Sequence, residues 1–438
     1  MFARSLALLL VSTLAVSANW SNWRGPNFNG STTASNLPTD LKANVKWELS
    51  TLPGASTPIV DDTQIYLTAV DPEKKQLVVF AVDRKTGKLV WEDRPHTGFT
   101  VPKGDPISLH NRSNYASPSA VTDGERVIFT FGNGDMHSYS LDGKKQWTRN
   151  LQKDLGVFTY QWTYSATPLL HKGIVYVPLL QRNLVAHKGL GKDGNESFLL
   201  AIDPATGKDM WKHIRPSKAQ MESLEAFGTP LPYTENGREE IILFGGDVIT
   251  GHDPKNGSEL WRWGTWNPNH GEKWWRTVPS AVAGGGAVLA CAPKKQPVYA
   301  AKTGLSGTHE GDDGKLWHSK DRAVSSDVPT PAFADGSFFV VSDVAKAISR
   351  VNPKSGKVEW STELPGRHKW RASPTVADGK IWLMNHNSMV AIVDAKTGKL
   401  EKTEKLGADG DDNARATVAI AHNQIYVRTL NKLLCIGR

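Results

Sequence analysis

A tight turn followed by a tryptophan recurs along the chain, and this repetition constrains the fold more than any other feature. The phrase reads AVDRKTGKLVW at Ala81 to Trp91 and AIDPATGKDMW at Ala201 to Trp211. Related phrases end at Trp147, Trp261, Trp317 and Trp360, and in a further copy Lys402 takes the place of the tryptophan. A period of this kind indicates a repeat architecture, in which each unit buries its faces against its neighbours.

A second phrase, a small residue and usually a proline followed by apolar residues, comes before each turn. Its eight copies begin at Ser56, Ala116, Ala166, Gly228, Val278, Pro329, Ala372 and Arg415. Eight starts divide the chain into units of about 52 residues, which is typical of propeller blades. In the unit Ala372 to Lys402, Asp-Gly, His-Asn-Ser and Lys-Thr-Gly turns separate four short strands.

The last unit ends before a fourth strand. The segment Asn44 to Ser50, which carries Trp47, is expected to supply the missing strand and so to close the ring without exposed edges. The predicted fold is therefore an all-β, eight-bladed β-propeller of four-stranded antiparallel blades over residues 44–438, preceded by an irregular strap over residues 19–43. Trp47, Trp91, Trp147, Trp211, Trp261, Trp317 and Trp360 are expected to dock each blade on its neighbour; the alternative is that each is a local core residue.

The first residues resemble a secretory leader. Arg4 precedes the apolar stretch Ser5 to Val16, and small residues lead to Ala18, after which cleavage is expected. The alternative is a short buried helix or a membrane anchor. We expect an exported protein, periplasmic or otherwise extracytoplasmic, with no transmembrane anchor once residues 1–18 are removed.

The net charge and the two cysteines limit the partners and the cross-links that this chain is expected to have. The net charge of +8 is spread along 438 residues without a long basic run, so nucleic acid is not an expected partner. A basic surface could meet anionic lipid or a cell-envelope polymer. Cys291 and Cys435 lie in apolar strand-like runs of distant units, which predicts two buried thiols and no disulfide.

The repeated turn-tryptophan phrases resemble the docking motif of pyrroloquinoline-quinone-type propellers. That superfamily includes quinoprotein alcohol dehydrogenases and the outer-membrane assembly lipoprotein of the β-barrel insertion machinery. The opening WRGPNFNG followed by such units is also similar to exported repeat proteins of planctomycete-type bacteria. The dehydrogenases carry adjacent cysteines and a Glu/Asn/Asp calcium site, and the lipoprotein carries a lipidated cysteine. The adjacent cysteine pair and the lipidated cysteine are absent here, and no motif carries the calcium ligands over to numbered positions.

The segments between units predict a rim of aromatic and charged side chains at one end of the channel. Aromatic faces stack on planar ligands or sugars, and arginine forks bind carboxylate or phosphate. The rim can plug the channel, bind a ligand or partner, or catalyse a reaction. Its members are His110, Asn111, Arg112, Tyr115, Tyr160, Trp162, Tyr164, Glu225, Trp274, Trp275, Arg276, Asp327, Trp370, Arg371 and Arg415.

Signals of catalysis or metal binding are weaker. The runs His309 to Lys315 and Gly407 to Asn413 are acidic but lack the alternating ligands of a calcium loop, so they are interpreted as solvated turns. No catalytic residue and no metal ligand is predicted, and pyrroloquinoline quinone with calcium is the cofactor that the resemblance allows. The favoured function is a monomeric binding or scaffolding module for a ligand, a protein or an envelope polymer, with Arg276 and Arg371 binding an anionic ligand. The alternative is a diverged quinone-dependent dehydrogenase acting on an alcohol or a sugar.

Overall fold

The ring of sheets predicted from the repeats is present. The computed structural model describes residues 19–97, 114–184, 194–264, 266–410 and 413–438. Eight four-stranded antiparallel blades form an eight-bladed β-propeller, which confirms the predicted fold class. The described helices are a single α-helical turn and three 3₁₀ turns, and none is long or apolar enough to cross a membrane. Their bounds are Lys42–Asn44, Leu151–Leu155, Met221–Leu224 and Pro268–His270.

Each of the first four blades runs from an inner strand at the channel to an outer strand. Blade 1 contains Ile59–Val60, Gln64–Asp71, Gln76–Asp83 and Leu89–Thr97. Blade 2 contains Val121–Thr122, Arg126–Thr130, Asp135–Ser140 and Lys145–Asn150. Blade 3 contains Leu169–His171, Ile174–Leu179, Phe198–Ile202 and Asp209–Ile214. Blade 4 contains Leu231–Glu235, Arg238–Gly245, Val248–His252 and Glu259–Gly264, and a fifth strand, Gly307–Glu310, pairs parallel to its outer strand.

The other four blades repeat this order, and the last of them is closed by the N-terminal strand. Blade 5 contains Val282–Gly284, Ala287–Cys291, Val298–Lys302 and Lys315–His318. Blade 6 contains Ala332–Ala334, Ser337–Ser342, Ala347–Val351 and Val358–Glu363. Blade 7 contains Thr375–Ala377, Lys380–Met384, Met389–Asp394 and Leu400–Lys405. Blade 8 contains Ala419–Ala421, Gln424–Arg428 and Lys432–Ile436, with Val45–Ser50 as its outer strand.

Burial along the strands follows from their place in the ring. The middle strands lie between two neighbouring blades and are mostly buried; Phe198–Ile202 is apolar and buried at every residue. The outer strands alternate between covered and exposed positions, as Val358–Glu363 does. The core is consequently a series of apolar layers between blades.

The closing strand is antiparallel to the last strand of the chain. Trp47 is opposite Cys435, and Leu49 is opposite Leu433. The predicted closure of the ring by strands from both ends of the described chain is thus present. Cys291 and Cys435 are both free and buried, which confirms the prediction of two buried thiols. Burial raises the pKa of both thiols, that of Cys435 to about 12.

Residues 19–43 form a strap that crosses the end of the channel opposite the inter-blade loops. At its start, Trp20 exchanges backbone hydrogen bonds with Val60 of blade 1 (2.8 and 3.0 Å). At its far side, Gly30 accepts a hydrogen bond from the backbone N–H of Val376 in blade 7 (2.8 Å). Between them, the buried Arg24 donates from Nη2 to the carbonyls of Pro331 and Pro374 (3.1 and 3.0 Å). The strap also accepts backbone hydrogen bonds from Thr122 of blade 2 (3.2 Å) and Phe333 of blade 6 (3.0 Å), and so joins blades on opposite sides of the axis.

Six of the repeated tryptophans lie on a turn glycine of the next blade. A methyl group on that glycine would lie only 2.4–2.7 Å from the indole, so the ring and the backbone are in direct contact. The pairs are Trp47 with Gly87, Trp91 with Gly143, Trp147 with Gly207, Trp211 with Gly257, Trp317 with Gly356 and Trp360 with Gly398. Four of the indoles also donate a hydrogen bond to a carbonyl in that turn (2.7–3.1 Å). These are the contacts that a docking role requires.

Trp261 differs from the other six. It is buried, and its Nε1 donates to Glu240 Oε2 of its own blade (2.7 Å). Its neighbour Trp263 instead reaches blade 5, where Nε1 donates to the carbonyl of Gly311 (3.3 Å). The difference coincides with the fifth strand, which covers the outer edge of blade 4 at this position.

Candidate functional site

A cavity of about 490 Å³ opens at the centre of the face formed by the inter-blade loops. Strand direction alternates within a blade, so the hairpin turns between second and third strands reach this same face. We call this cavity the mouth. Its lining includes Trp162, Phe227, Arg276, Lys369, Arg371, His386 and Arg415.

Two arginines of the mouth are held by buried carboxylates. Arg276 binds Asp327 through both terminal nitrogens (3.0 and 3.1 Å), and Arg371 Nε donates to Asp343 Oδ2 (3.0 Å). Burial would raise the pKa of Asp327, but the hydrogen bonds and charge of Arg276 outweigh it and lower that pKa. Burial raises the pKa of Asp343, because the charge of Arg371 offsets desolvation only in part. These pairs fix the guanidinium groups in place.

His386 adds a neutral imidazole to this cationic lining. Burial lowers its pKa to about 3, and the charges of Arg415, Arg371 and Lys369 contribute to the shift. Its Nε2 is buried without a hydrogen-bond partner among the residues described. His386 lies in the hairpin turn that follows the second strand of blade 7, and this turn reaches the mouth.

Below the mouth lies a second cavity of about 200 Å³, which we call the throat. Arg371 and Arg415 stand at its upper end, and Trp23 of the strap lies at the other. Its wall is rich in hydroxyl groups from the repeated small-residue phrases, namely those of Thr57, Ser119, Thr167, Thr229, Ser373 and Thr417.

The hydroxyls form a belt of hydrogen bonds between adjacent blades. The backbone N–H of Thr57 donates to Ser119 Oγ (2.9 Å), and that of Thr417 donates to Thr57 Oγ1 (3.0 Å). Ser119, Thr229, Ser280 and Thr330 make equivalent bonds to the next blade (2.8–3.0 Å). The small-residue phrases thereby link the inner strands around the channel.

The structure brings only some of the predicted rim residues to the mouth. Trp162, Arg276, Arg371 and Arg415 line it, and Asp327 supports it through Arg276. Tyr115, Tyr160, Tyr164 and Trp370 are instead buried among the blades. Trp275 packs half-buried against the core, while Trp274 is 49% exposed with Arg182 over its ring at 5.8 Å. His110, Asn111 and Arg112 lie outside the described residues.

Glu225 lies below the surface, where it forms a buried ion pair with Arg182. The backbone N–H of Gln161 donates to its Oε1 (3.0 Å), while Oε2 has no partner among the described residues. Burial raises the pKa of Glu225 to about 7 despite the charge of Arg182. Tyr160, Tyr164 and Phe227 pack beside this pair. The ring centroid of Tyr160 lies 5.4 Å from that of Phe227 and 5.7 Å from that of Tyr164.

The donor set does not fit a calcium-bound quinone. Calcium takes six to eight oxygen ligands, whereas Asp327 and Asp343 are already bound to arginine. Within the described ranges, no group of three or more His, Cys, Asp or Glu side chains is placed to hold a metal ion. Cys291 and Cys435 belong to blades 5 and 8 and cannot form the adjacent pair of quinoprotein dehydrogenases.

Comparison with known proteins agrees with this architecture. A europium-containing methanol dehydrogenase superposes with a TM-score of 0.69 at 13% identity, covering 96% of this chain and 98% of the other. BamB from Moraxella catarrhalis gives a TM-score of 0.58 at 11% identity, covering 90% and 97%. At these identities the likeness establishes the fold. The tetrathionate hydrolase of Acidithiobacillus ferrooxidans is 23% identical in an alignment 377 positions long that covers 79% of this chain and 68% of that protein.

The family model described as "Outer membrane protein assembly factor BamB" matches the chain in three overlapping stretches, residues 42–186, 78–307 and 301–436. These stretches contain all eight blades. The chain therefore belongs to this family of pyrroloquinoline-quinone-type propeller repeat proteins.

Proposed function

We propose that this protein is a binding module that holds an anionic ligand at the mouth. The observation that carries the proposal is the charge of the lining. Four cationic side chains, Arg276, Lys369, Arg371 and Arg415, line the mouth, and none of the described residues that line it is a carboxylate. Asp327 and Asp343 offset the charges of Arg276 and Arg371 from behind, and Lys369 forms no ion pair with any described residue, so the cavity keeps a positive surplus.

The cavity also has the shape of a ligand site. Its volume of about 490 Å³ lies within the range of small-molecule pockets. Arg276 and Arg371 are pre-organised by their ion pairs, so little side-chain entropy is lost when they bind an anion. The neutral His386 supplies a further polar group without adding charge.

The named relatives give concrete probes. Tetrathionate, the compound in the name of the 23% identical relative, is a small dianion with a charged group at each end. It suits a lining in which fixed arginines stand beside Lys369 and Arg415. Binding of this anion is proposed here as a test of charge and size, with no claim of hydrolysis.

Binding is tested by calorimetry with tetrathionate and with inorganic sulfate at constant ionic strength. The variant Lys369→Gln/Arg415→Gln removes two cations and leaves Asp327 and Asp343 with their arginines. We expect its affinity to fall about tenfold or more, because each charge-assisted contact contributes about 1 kcal/mol or more. Replacing Arg276 and Arg371 by alanine should also weaken binding, but it strands two buried carboxylates and so tests the site less cleanly.

The matched control is Lys85→Gln/Lys396→Gln. Both lysines are exposed in turns between third and fourth strands, on the opposite face, and the net charge changes equally. The control should bind as the unaltered protein does. Equal affinity of the mouth variant and the unaltered protein would refute the proposed site.

A protein partner is a second candidate, supported by the family description as an assembly factor. Trp274, 49% exposed on the same face, is the side chain best placed to contact a partner. Trp274→Ala should then abolish recovery of a specific partner and leave anion binding unchanged. The predicted leader supports an extracytoplasmic location for either candidate.

The dehydrogenase alternative is not favoured, because the residues present do not supply its calcium ligands. Addition of calcium and pyrroloquinoline quinone to the purified protein is expected to give no dye reduction with alcohols or sugars. Sustained dye reduction would favour the enzyme.

A further inference from the structure

A second cavity of about 400 Å³ opens beside the mouth on the same face. We call it the basic groove. Lys294 and Lys295 of blade 5 and Lys346 of blade 6 line it from hairpin turns, and Arg367 lines it from the loop between blades 6 and 7. Lys369 and Arg371 line both cavities, so the groove and the mouth form one continuous surface.

The groove carries a large positive surplus. Six cationic side chains line it against two carboxylates, Asp327 and Asp343, and both carboxylates are already bound to arginine. Lys295, Arg367 and Lys369 are exposed and form no ion pair with any described residue. Three cations of the surface are thus available to a ligand.

The lysines stand at positions where other residues would be less strained. Lys294, Lys295 and Lys346 have φ angles of 53, 74 and 51°, in the left-handed region that glycine and asparagine adopt at lower cost. The chain nevertheless places lysine at all three. Lys346 is held further, because Nζ donates to the carbonyl of Gly366 (3.0 Å).

We infer that the ligand is an extended anion with several charged groups in line, one end in the mouth and the remainder along the basic groove. The inference rests on the proposed function and specifies its ligand. Two adjoining cavities with their own cations exceed what one compact anion can contact. Opposite charges attract strongly only within a Debye length, about 8 Å at physiological salt, so each cation group needs an anionic group close to it.

The experiment compares two anions of equal net charge near neutral pH, compact citrate and extended tri-glutamate, by calorimetry at constant ionic strength. The unaltered protein should bind tri-glutamate about tenfold more tightly than citrate. Lys295→Gln/Arg367→Gln alters the groove alone, and both side chains are exposed, so the fold should persist. This variant should lose the preference for tri-glutamate while its citrate affinity stays within about twofold. Lys85→Gln/Lys396→Gln on the opposite face should retain the preference.

The outcomes separate the two proposals. If citrate and tri-glutamate bind equally, or if the groove variant keeps the preference, the extended ligand is refuted and the mouth site stands. If neither anion binds, or if Lys369→Gln/Arg415→Gln binds both as the unaltered protein does, the proposed function fails as well. Tripolyphosphate against inorganic phosphate, measured on the same variants, shows whether phosphate groups serve as well as carboxylates.

Discussion

Gly207 offers the sharpest test of the docking role of the tryptophans. It lies in the turn between the third and fourth strands of blade 3 with a φ of 70°, and a methyl group there would lie 2.7 Å from Trp147 of blade 2. Gly173 is its matched control in the same blade. Its φ is 75°, and nothing lies within 4 Å of the added methyl group.

Replacement of each glycine by alanine separates the backbone cost from the cost of contact with the indole. The free energy of unfolding should fall by about 1–2 kcal/mol in both variants, since alanine is disfavoured in the left-handed conformation. Only Gly207→Ala also forces the indole aside, which adds about 1–3 kcal/mol of overpacking. We therefore expect Gly207→Ala to be less stable than Gly173→Ala by about 1–3 kcal/mol.

Equilibrium unfolding in urea, followed by tryptophan fluorescence and by circular dichroism, measures the difference. If the indole is the cause, adding Trp147→Leu to Gly207→Ala should recover part of the loss, and the two substitutions should be non-additive. Equal destabilisation by the two glycine variants would show that the indole is free to move and does not dock the blades.

Two further predictions concern buried polar groups. Burial in the folded state raises the pKa of Glu225 from its ordinary value of 4.5 to about 7, so between these pH values the folded state binds more protons than the unfolded state. Stability therefore falls as pH rises through that window. Relative to Glu225→Gln, the unaltered protein should lose up to about 3 kcal/mol from pH 4.5 to 7 in denaturant titrations, and parallel stability curves would contradict the assignment. Trp261→Phe removes a hydrogen-bond donor from the buried Glu240, whereas the Nε1 of Trp211 has no partner among the described residues. Trp261→Phe should therefore lower the free energy of unfolding by about 1–3 kcal/mol more than Trp211→Phe does. Equal unfolding midpoints for the two variants would show that the Glu240 bond contributes little.

The fold could be predicted because every copy of the repeat makes the same kinds of contact. A turn glycine, a following tryptophan and a small-residue phrase recur, and each copy meets the same neighbour in space. Prediction is weakest where a blade departs from the repeat. The phrase ending at Trp261 looks like its copies, but the fifth strand at Gly307–Glu310 changes what lies beside it, and this pairing leaves no local signal in the sequence.

The candidate site was predicted in part, for a topological reason. Arg276, Arg371, Arg415 and Trp162 come from the segments between blades, which were recognised as rim segments. His386 and Asp343 come from hairpin turns inside blades, and alternation of strand direction brings those turns to the same face. The aromatic residues Tyr160 and Tyr164 share a segment with Trp162, yet they turn inward to fill the space between blades, which composition alone does not reveal.

The strap lies across the channel at the end away from the mouth. Trp23 lines the throat there, opposite Arg371 and Arg415, so among the described residues the strap stands in the path of a molecule that enters from the mouth. We therefore expect only the tip of a long polymer to enter the throat, with the rest of the polymer lying across the upper face. Any partner seated over that face would also hold the bound tip in place.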